Sequence, residues 1–217
     1  ASGRILIFMN SDTEILSMDT FRHIQHNFSK YSDYGILGGQ LVTLNGKSQS
    51  GARHFADIWQ LTKQYLFFLD RISPKKQTNT TDPVAVDYVD GAFLCIRQHV
   101  MQKLGGFRTD FFMFAEDMDL CWRAWKQKFK VGMIPALKIR HHHGASTRQD
   151  FTTALINSVT NNTRFVRETQ GLGRARAACF IQCLGLLLRI PMAWLKQSVR
   201  GRDYWRAVFA ITRKRVI

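Results

Sequence analysis

The chain has 217 residues, 45% of them hydrophobic and 22% charged, and its 31 Lys and Arg against 16 Asp and Glu give a formal net charge of +15. That length and balance exclude a wholly disordered chain and a disulfide-stapled miniprotein, and they describe one globular domain with room for an appendage. The positive charge favours anionic partners: nucleic acid, phosphorylated ligands or a membrane surface.

The four cysteines, Cys95, Cys121, Cys179 and Cys183, form no CxxC pair and no zinc-finger spacing, and read as reduced thiols. No run of about 20 apolar residues appears, so no bilayer-crossing helix is expected. The opening Ala-Ser-Gly-Arg has no basic region followed by a long apolar run, so no secretory signal is expected there.

In chain order, the continuous apolar run Ile5–Met9 predicts a strand buried on both faces of an α/β sheet. It stops at Asn10-Ser11-Asp12-Thr13, and the C-terminal end of such a strand is where α/β folds place ligands. Asp12 could hold a divalent cation shared with substrate phosphates, or serve only as a turn or helix cap. Leu16, Phe21, Ile24 and Phe28 recur at roughly helical spacing. Residues 34–44 predict a strand ending at the turn Asn45-Gly46, and residues 56–69 a helix. Residues 73–83, polar and flanked by proline, predict a surface loop. Strands are expected at 84–89 and 92–96, then a short helix over 99–104 halted by Gly105-Gly106. Residues 116–128 predict a helix with acids in its first turn and lysines in its last. Short strands follow at 131–134 and 138–142, and a helix over 150–169 with Asp150 as its cap. The alternation predicts an α/β layer fold.

Two more clusters could carry chemistry. Large apolar residues from Phe111 run into Glu116, Asp117 and Asp119. Glu116 and Asp119 share a helix face while Asp117 points elsewhere. These acids could simply favour the helix dipole. Alternatively, a carboxylate against an apolar wall, with another acid nearby, has a raised pKa and suits proton abstraction from a hydroxyl. The other cluster is His141-His142-His143. Imidazole ligates divalent metals, but strand alternation lets only one or two of three consecutive side chains face a site. A basic surface patch is the other reading.

Taken in order, three stretches resemble family 2 glycosyltransferases, in particular the bacterial rhamnosyltransferase-like branch: GRILIFMNSDTEI at 3–15, YGILGGQLVTLNGKSQSGARHF at 34–55, and residues 86–146 nearly end to end. The last combines a Gly-Ala apolar strand, Gly-Gly-Phe, the Glu-Asp motif and a terminal His in one order. The resemblance implies an α/β, GT-A-like mixed sheet flanked by helices and an inverting transfer from a dTDP- or UDP-sugar. The acceptor would be a hydroxyl of a polysaccharide or lipid-linked glycan, and the metal Mg²⁺ or Mn²⁺. Asp12 matches the metal-binding acid, with Asn10 in the place of the first acid of an Asp-x-Asp form. His141 matches a metal or diphosphate contact, Asp117 the general base, and Glu116 a residue holding the site or the acceptor. Gly91 and Ala92, with Asp119, would line the acceptor or sugar pocket. The segment that family members carry ahead of the metal motif, which holds nucleobase and ribose, does not precede Ile5. The chain is therefore expected to be a truncated domain that binds nucleotide weakly.

Charge shifts along the chain: residues 174–217 hold ten Lys and Arg and one acid, Asp203. The shift places a boundary at Gly171-Leu172-Gly173, dividing a domain of residues 1–173 from a basic tail of residues 174–217. The apolar run 177–188 is too short to span a bilayer. Beyond it Trp194, Lys196, Arg200, Arg202, Trp205, Arg206, Arg213, Lys214 and Arg215 interleave aromatic and basic character. That pattern suits amphipathic helices on an anionic membrane surface, here the cytoplasmic leaflet, or a packed helix with a solvated basic face. Two other functions compete with the enzyme. A nucleic-acid-binding module would leave the acid cluster without a role and has no RRM, KH or zinc-finger signature, so no nucleic-acid partner is expected. A non-catalytic remnant of the same fold is the other.

Overall fold

A computed structural model of the chain describes residues 3–49, 51–69, 80–111, 113–142, 150–195 and 200–213. The elements are β1 (Ile5–Met9), β2 (Thr13–Ile15), α1 (Thr20–Lys30), β3 (Tyr34–Val42), β4 (Ala52–Arg53), α2 (Ile58–Tyr65), β5 (Val84–Ala85), β6 (Tyr88–Val89), β7 (Phe93–Arg97), α3 (Gln98–Leu104), α4 (Glu116–Lys126), β8 (Lys130–His141), α5 (Phe151–Gln170), α6 (Leu172–Leu195) and α7 (Arg200–Arg213). They pack as two compact units. The first comprises residues 1–55, 72–109 and 116–145, the second residues 56–71, 110–115 and 146–217.

The first unit is built on a mixed sheet of order β1-β7-β3-β8-β2, with β5 also on β8 and a separate two-stranded sheet of β4 and β6. β3 and β8 run parallel, and the remaining pairs are antiparallel. All nine residues of β3 are buried, because β7 and β8 flank it. Its glycines allow close approach: a Cβ on Gly38 would lie 2.7 Å from Val89 Cβ. Arg97 ties the end of α1 to the sheet, its Nε donating to the Tyr34 carbonyl at 2.8 Å and its Nη2 to that of Tyr31 at 3.1 Å.

Several expectations are corrected here. Among the described residues β1 is an edge strand paired only with β7, and it is half-buried; its apolar run covers the core from the sheet margin, with Phe8 edge-on to Phe107 at 5.0 Å. The strands expected at 131–134 and 138–142 are one strand, β8, because its pairing with β3 shifts register between Gly39 and Gln40 and skips residues 135–137. The strand expected at 84–89 divides into β5 and β6, which join different sheets. β2, too short to show a period, pairs with the end of β8.

The second unit is helical. Asp57 Oδ1 caps α2 by accepting from Gln60 N at 2.7 Å. Asp150 caps α5 as expected, accepting from Thr153 N at 2.9 Å. Gly171, at φ 95°, separates α5 from α6. A buried polar joint then binds those two helices: Gln182 accepts from Asn162 at 3.2 Å and donates to Thr163 Oγ1 at 3.1 Å. Packing thus groups α5 with the tail, and the charge boundary at 173 is no break between compact units. The apolar run 177–188 is also not a short isolated stretch. It lies within the 24-residue α6, which by length and composition alone is long and apolar enough to cross a membrane. His143, Lys196, Lys214, Arg215 and most of the expected loop at 73–83 lie outside the described residues.

Replacing Gly38 with Ala is expected to lower unfolding stability by about 1–3 kcal/mol, the usual cost of overpacking a filled core. Gly173→Ala, whose Cβ would meet nothing within 4 Å, is expected to leave stability unchanged or higher. Chemical denaturation of both variants checks the pair.

Candidate active site

The turn Asp90-Gly91-Ala92 between β6 and β7 is held from several sides. Asp90 N donates to the Gly51 carbonyl at 3.1 Å, and Asn10 N, just past β1, donates to the Ala92 carbonyl at 3.1 Å. Asp90 Oδ1 accepts from Ala92 N at 3.0 Å. This fixes the Gly91 N–H, which donates to Asp117 Oδ2 at 2.9 Å. Asp117 Oδ1 accepts from Met118 N at 2.7 Å. The first turn of α4 therefore faces the β6–β7 turn through one buried carboxylate.

That carboxylate is out of its ordinary range. Burial raises the Asp117 pKa first, and the charges of Asp90 and Glu116 raise it further; the two N–H bonds lower it, and the balance lies at about 7. Burial is also the main cause raising Glu116, with Asp90 again contributing. Glu116 Oε2 is buried with no hydrogen-bond partner among the described residues. Arg53 lies near Asp90, Nη2 to Oδ2 3.7 Å. A buried carboxylate that exchanges its proton near neutrality can take a proton from a hydroxyl.

The second half of the site lies where β2 pairs with β8, Thr13 opposite His141. Asp12 Oδ1 is 3.4 Å from His141 Nε2, with the His141 side chain 8% exposed and Asp12 27%. His142 points away, 44% exposed and 3.9 Å from Glu14, as strand alternation requires. Thr13 N and Oγ1 both donate to the Asn10 carbonyl, at 3.1 and 2.7 Å, forming the tight turn that presents Asp12. Among the described residues no group of three or more His, Cys, Asp or Glu is placed to hold a metal. An oxygen and a nitrogen donor side by side nonetheless fit a divalent cation that takes its other ligands from phosphate and water.

The geometry thus brings Asn10 and Asp12 beside His141, and Gly91 and Ala92 beside Glu116 and Asp117; the Asn10–Ala92 hydrogen bond joins the two halves. Asp119 does not join them. It is 4% exposed, ion-paired to Arg123 at 2.7 Å and to Arg108 at 3.5 Å. Arg123 goes on to bind the carbonyls of Leu104 and Gly106. Asp119 therefore braces α4 against α3. Of the apolar residues ahead of Glu116, Phe111 is buried, Met113 and Phe114 are exposed, and Phe112 lies outside the described residues. Sequence reasoning missed Asp90 and Arg53. The available signal was an acid immediately before Gly91-Ala92, at the end of an otherwise apolar strand.

The model of the family described as "Glycosyltransferase like family 2" matches residues 1–167. The rhamnosyltransferase WbbL of Escherichia coli is 24% identical over 157 residues, covering 71% of this chain and 58% of that protein. The N-acetylglucosaminyl-diphospho-decaprenol L-rhamnosyltransferase of Mycobacterium tuberculosis is 32% identical over 65 residues, 30% of this chain and 21% of that protein. The chain thus spans less than two thirds of either relative. The crystal structure of GalNAc-T7 with UDP, GalNAc and Mn²⁺ superposes with a TM-score of 0.52 at 16% identity, over 76% of this chain and 31% of that one. That likeness is one of fold and places the mixed sheet flanked by helices in the GT-A type.

Carboxyl NMR of labelled Asp is expected to find Asp117 titrating at about 7, and Asp90→Asn is expected to lower that value. Linkage gives a stability consequence. The folded chain holds this proton up to about pH 7, whereas the unfolded chain releases it in the usual carboxylate range. Stability is therefore fully present below that range and falls as pH rises toward neutrality. Asp117→Asn, which keeps the shape but carries no charge, is expected to melt above the wild type at pH 8 and close to it at pH 4.

Proposed function

This chain belongs to glycosyltransferase family 2, and we propose that it moves a sugar from a nucleotide-sugar donor to an acceptor hydroxyl. The observation that carries the reading is the buried Asp117, backed by the Gly91 N–H and pushed toward neutrality by burial, Asp90 and Glu116. Direct displacement at an anomeric carbon needs a base for the attacking hydroxyl and stabilisation of the departing diphosphate. Asp117 takes the hydroxyl proton. Its two backbone hydrogen bonds fix the carboxylate in place, and Glu116 holds the acceptor side with its buried, unpartnered oxygen. Gly91 and Ala92 line the sugar pocket.

Asp12 and His141 would hold Mg²⁺ or Mn²⁺, with Asn10 shaping the turn. When bound, the cation offsets charge developing on the leaving phosphate oxygens. The relatives named as rhamnosyltransferases favour a rhamnosyl donor, which this reading takes as a dTDP- or UDP-sugar, and the mycobacterial name favours a lipid-linked glycan as acceptor. Residues 174–217 serve this reading as a basic tail that docks at the cytoplasmic face of the cell membrane, where such an acceptor resides.

Thermal melting of the chain with Mn²⁺ and UDP or dTDP, beside Asp12→Ala, tests the diphosphate half. A metal-dependent rise lost in the variant is expected. No rise in the wild type removes that assignment. With an active donor–acceptor pair, Asp117→Asn is expected to lower kcat by about 10²–10⁴-fold with little change in donor binding. Unchanged turnover removes Asp117 as the base.

A further inference from the structure

The second unit buries a small polar joint and leaves a set of large apolar side chains exposed. Helix α6 is apolar on both faces. Inward it buries Ala175, Ala178, Gln182, Gly185, Leu186 and Ala193. Outward it exposes Phe180 (67%), Leu187, Leu188, Trp194 (68%) and Leu195. Phe180, Leu187 and Trp194 recur at seven-residue intervals, so they share one stripe. Only 33% of the helix's most apolar window is buried. A helix apolar all round belongs in a core or in lipid, and α6 has only the first half of a core.

The stripe is not confined to the tail. Arg189 donates to the carbonyls of Tyr65 at 2.8 Å and Gln64 at 3.0 Å, and its guanidinium lies 4.6 Å over the Phe68 ring. Gly185 sits so close to α2 that a Cβ there would fall 2.6 Å from the Tyr65 carbonyl oxygen. These contacts join α6 to a second set of exposed apolar residues, Trp59, Phe67, Phe68 and Leu69. On α7 the exposed positions 200, 202, 205, 206, 209, 212 and 213 are Arg, Arg, Trp, Arg, Phe, Thr and Arg. Its acid, Asp203, accepts a hydrogen bond from Thr152 on α5 at 2.9 Å.

Resting on the membrane-docking reading of the tail, we propose that the second unit lies in the plane of an anionic bilayer surface without crossing it. The outward stripe of α6 and the Trp59–Leu69 segment enter the acyl boundary, and the α7 arginines sit among the headgroups. The net positive charge of the tail selects this occupant over a neutral apolar partner: aromatic and basic residues alternating on one helix match a headgroup layer above hydrocarbon. The internal hydrogen bonds exclude a crossing. Gln182 is shared with Asn162 and Thr163 of α5, and Arg189 with the end of α2. A spanning α6 would strand both in hydrocarbon or drag polar helices in with it.

The test is cosedimentation of the full chain with phosphatidylcholine vesicles with and without phosphatidylglycerol, at low and high salt. Leu187→Asp and Phe67→Asp both alter exposed positions, and circular dichroism melts verify their folding. Each is expected to weaken binding to anionic vesicles about tenfold or more at either salt concentration. Arg202→Gln/Arg206→Gln/Arg213→Gln is expected to weaken it at low salt. Brominated lipids are expected to quench wild-type tryptophan emission, and less so in Trp194→Phe. If the two Asp variants bind like wild type while the arginine variant does not, immersion is overturned and basic docking stands. If the wild type binds no vesicle, both fall. Resistance to alkaline carbonate extraction would overturn the in-plane arrangement in favour of a crossing. A wild-type dimer that Leu187→Asp turns into a monomer would make a second copy the occupant.

Discussion

The first unit turns on one hydrogen bond, from the Gly91 N–H to the buried Asp117 carboxylate. A carboxylate withdrawn from water with two other acids nearby is unfavourable when charged, and only well-aimed donors make it tolerable. The Gly91 and Met118 amides are those donors. The Gly91 amide is fixed in turn by the Asp90 side chain bonded to Ala92, by the Gly51 carbonyl and by the end of β1. The sheet thus does more than enclose a core. Its antiparallel β1–β7 pair delivers a backbone donor to a carboxylate on a different element, and the raised pKa follows from that delivery being incomplete compensation. Asp119, by contrast, is held between two arginines and takes no part in that arrangement.

How much of this the sequence discloses depends on the scale of the signal. Long periodic elements are legible: α1, β3, α4 and α5 lie where periodicity and capping place them. A capping aspartate such as Asp150 acts within three residues, so nothing distant can override it. Burial of a strand is not a local property. Ile5–Met9 and residues 34–42 are both apolar, and which is central depends on strand order, which pairwise hydrophobicity does not encode. β2 is three residues long and exists only because β8 extends to receive it. The acids of α4 were visible as a group, but their division of labour was not. Spacing put Glu116 and Asp119 on one face, whereas the controlling neighbours, Asp90 for Asp117 and Arg123 for Asp119, include one from a distant turn.

The same contrast governs the second unit. Charge changes at residue 173, yet the packing boundary falls elsewhere, because Asn162 and Thr163 on one side of Gly171 bind Gln182 on the other. Net charge reports what a surface attracts, and burial reports what holds together; the two need not change at the same residue. Reading α6 as a short apolar run failed for a related reason. Arg174, Arg176, Gln182 and Arg189 interrupt the count of apolar residues, but a helix continues through polar positions when their side chains find partners, as Gln182 and Arg189 do.

The two halves of the site are mechanically dependent. Asn10 closes the turn that presents Asp12 through its carbonyl, and through its N–H it pins the Ala92 carbonyl of the turn that presents Gly91 to Asp117. One peptide segment at the end of an edge strand therefore positions both a cation-capable pair and a near-neutral carboxylate. An edge strand is a sensible carrier, since it is held on one side only and its last residues are free to turn away from the sheet. The cost is that displacement of β1 would move both functional groups together. The proposed transfer requires the departing phosphate and the attacking hydroxyl to be held in fixed relation, and on that proposal the shared backbone anchor would supply the relation without any direct contact between Asp12 and Asp117.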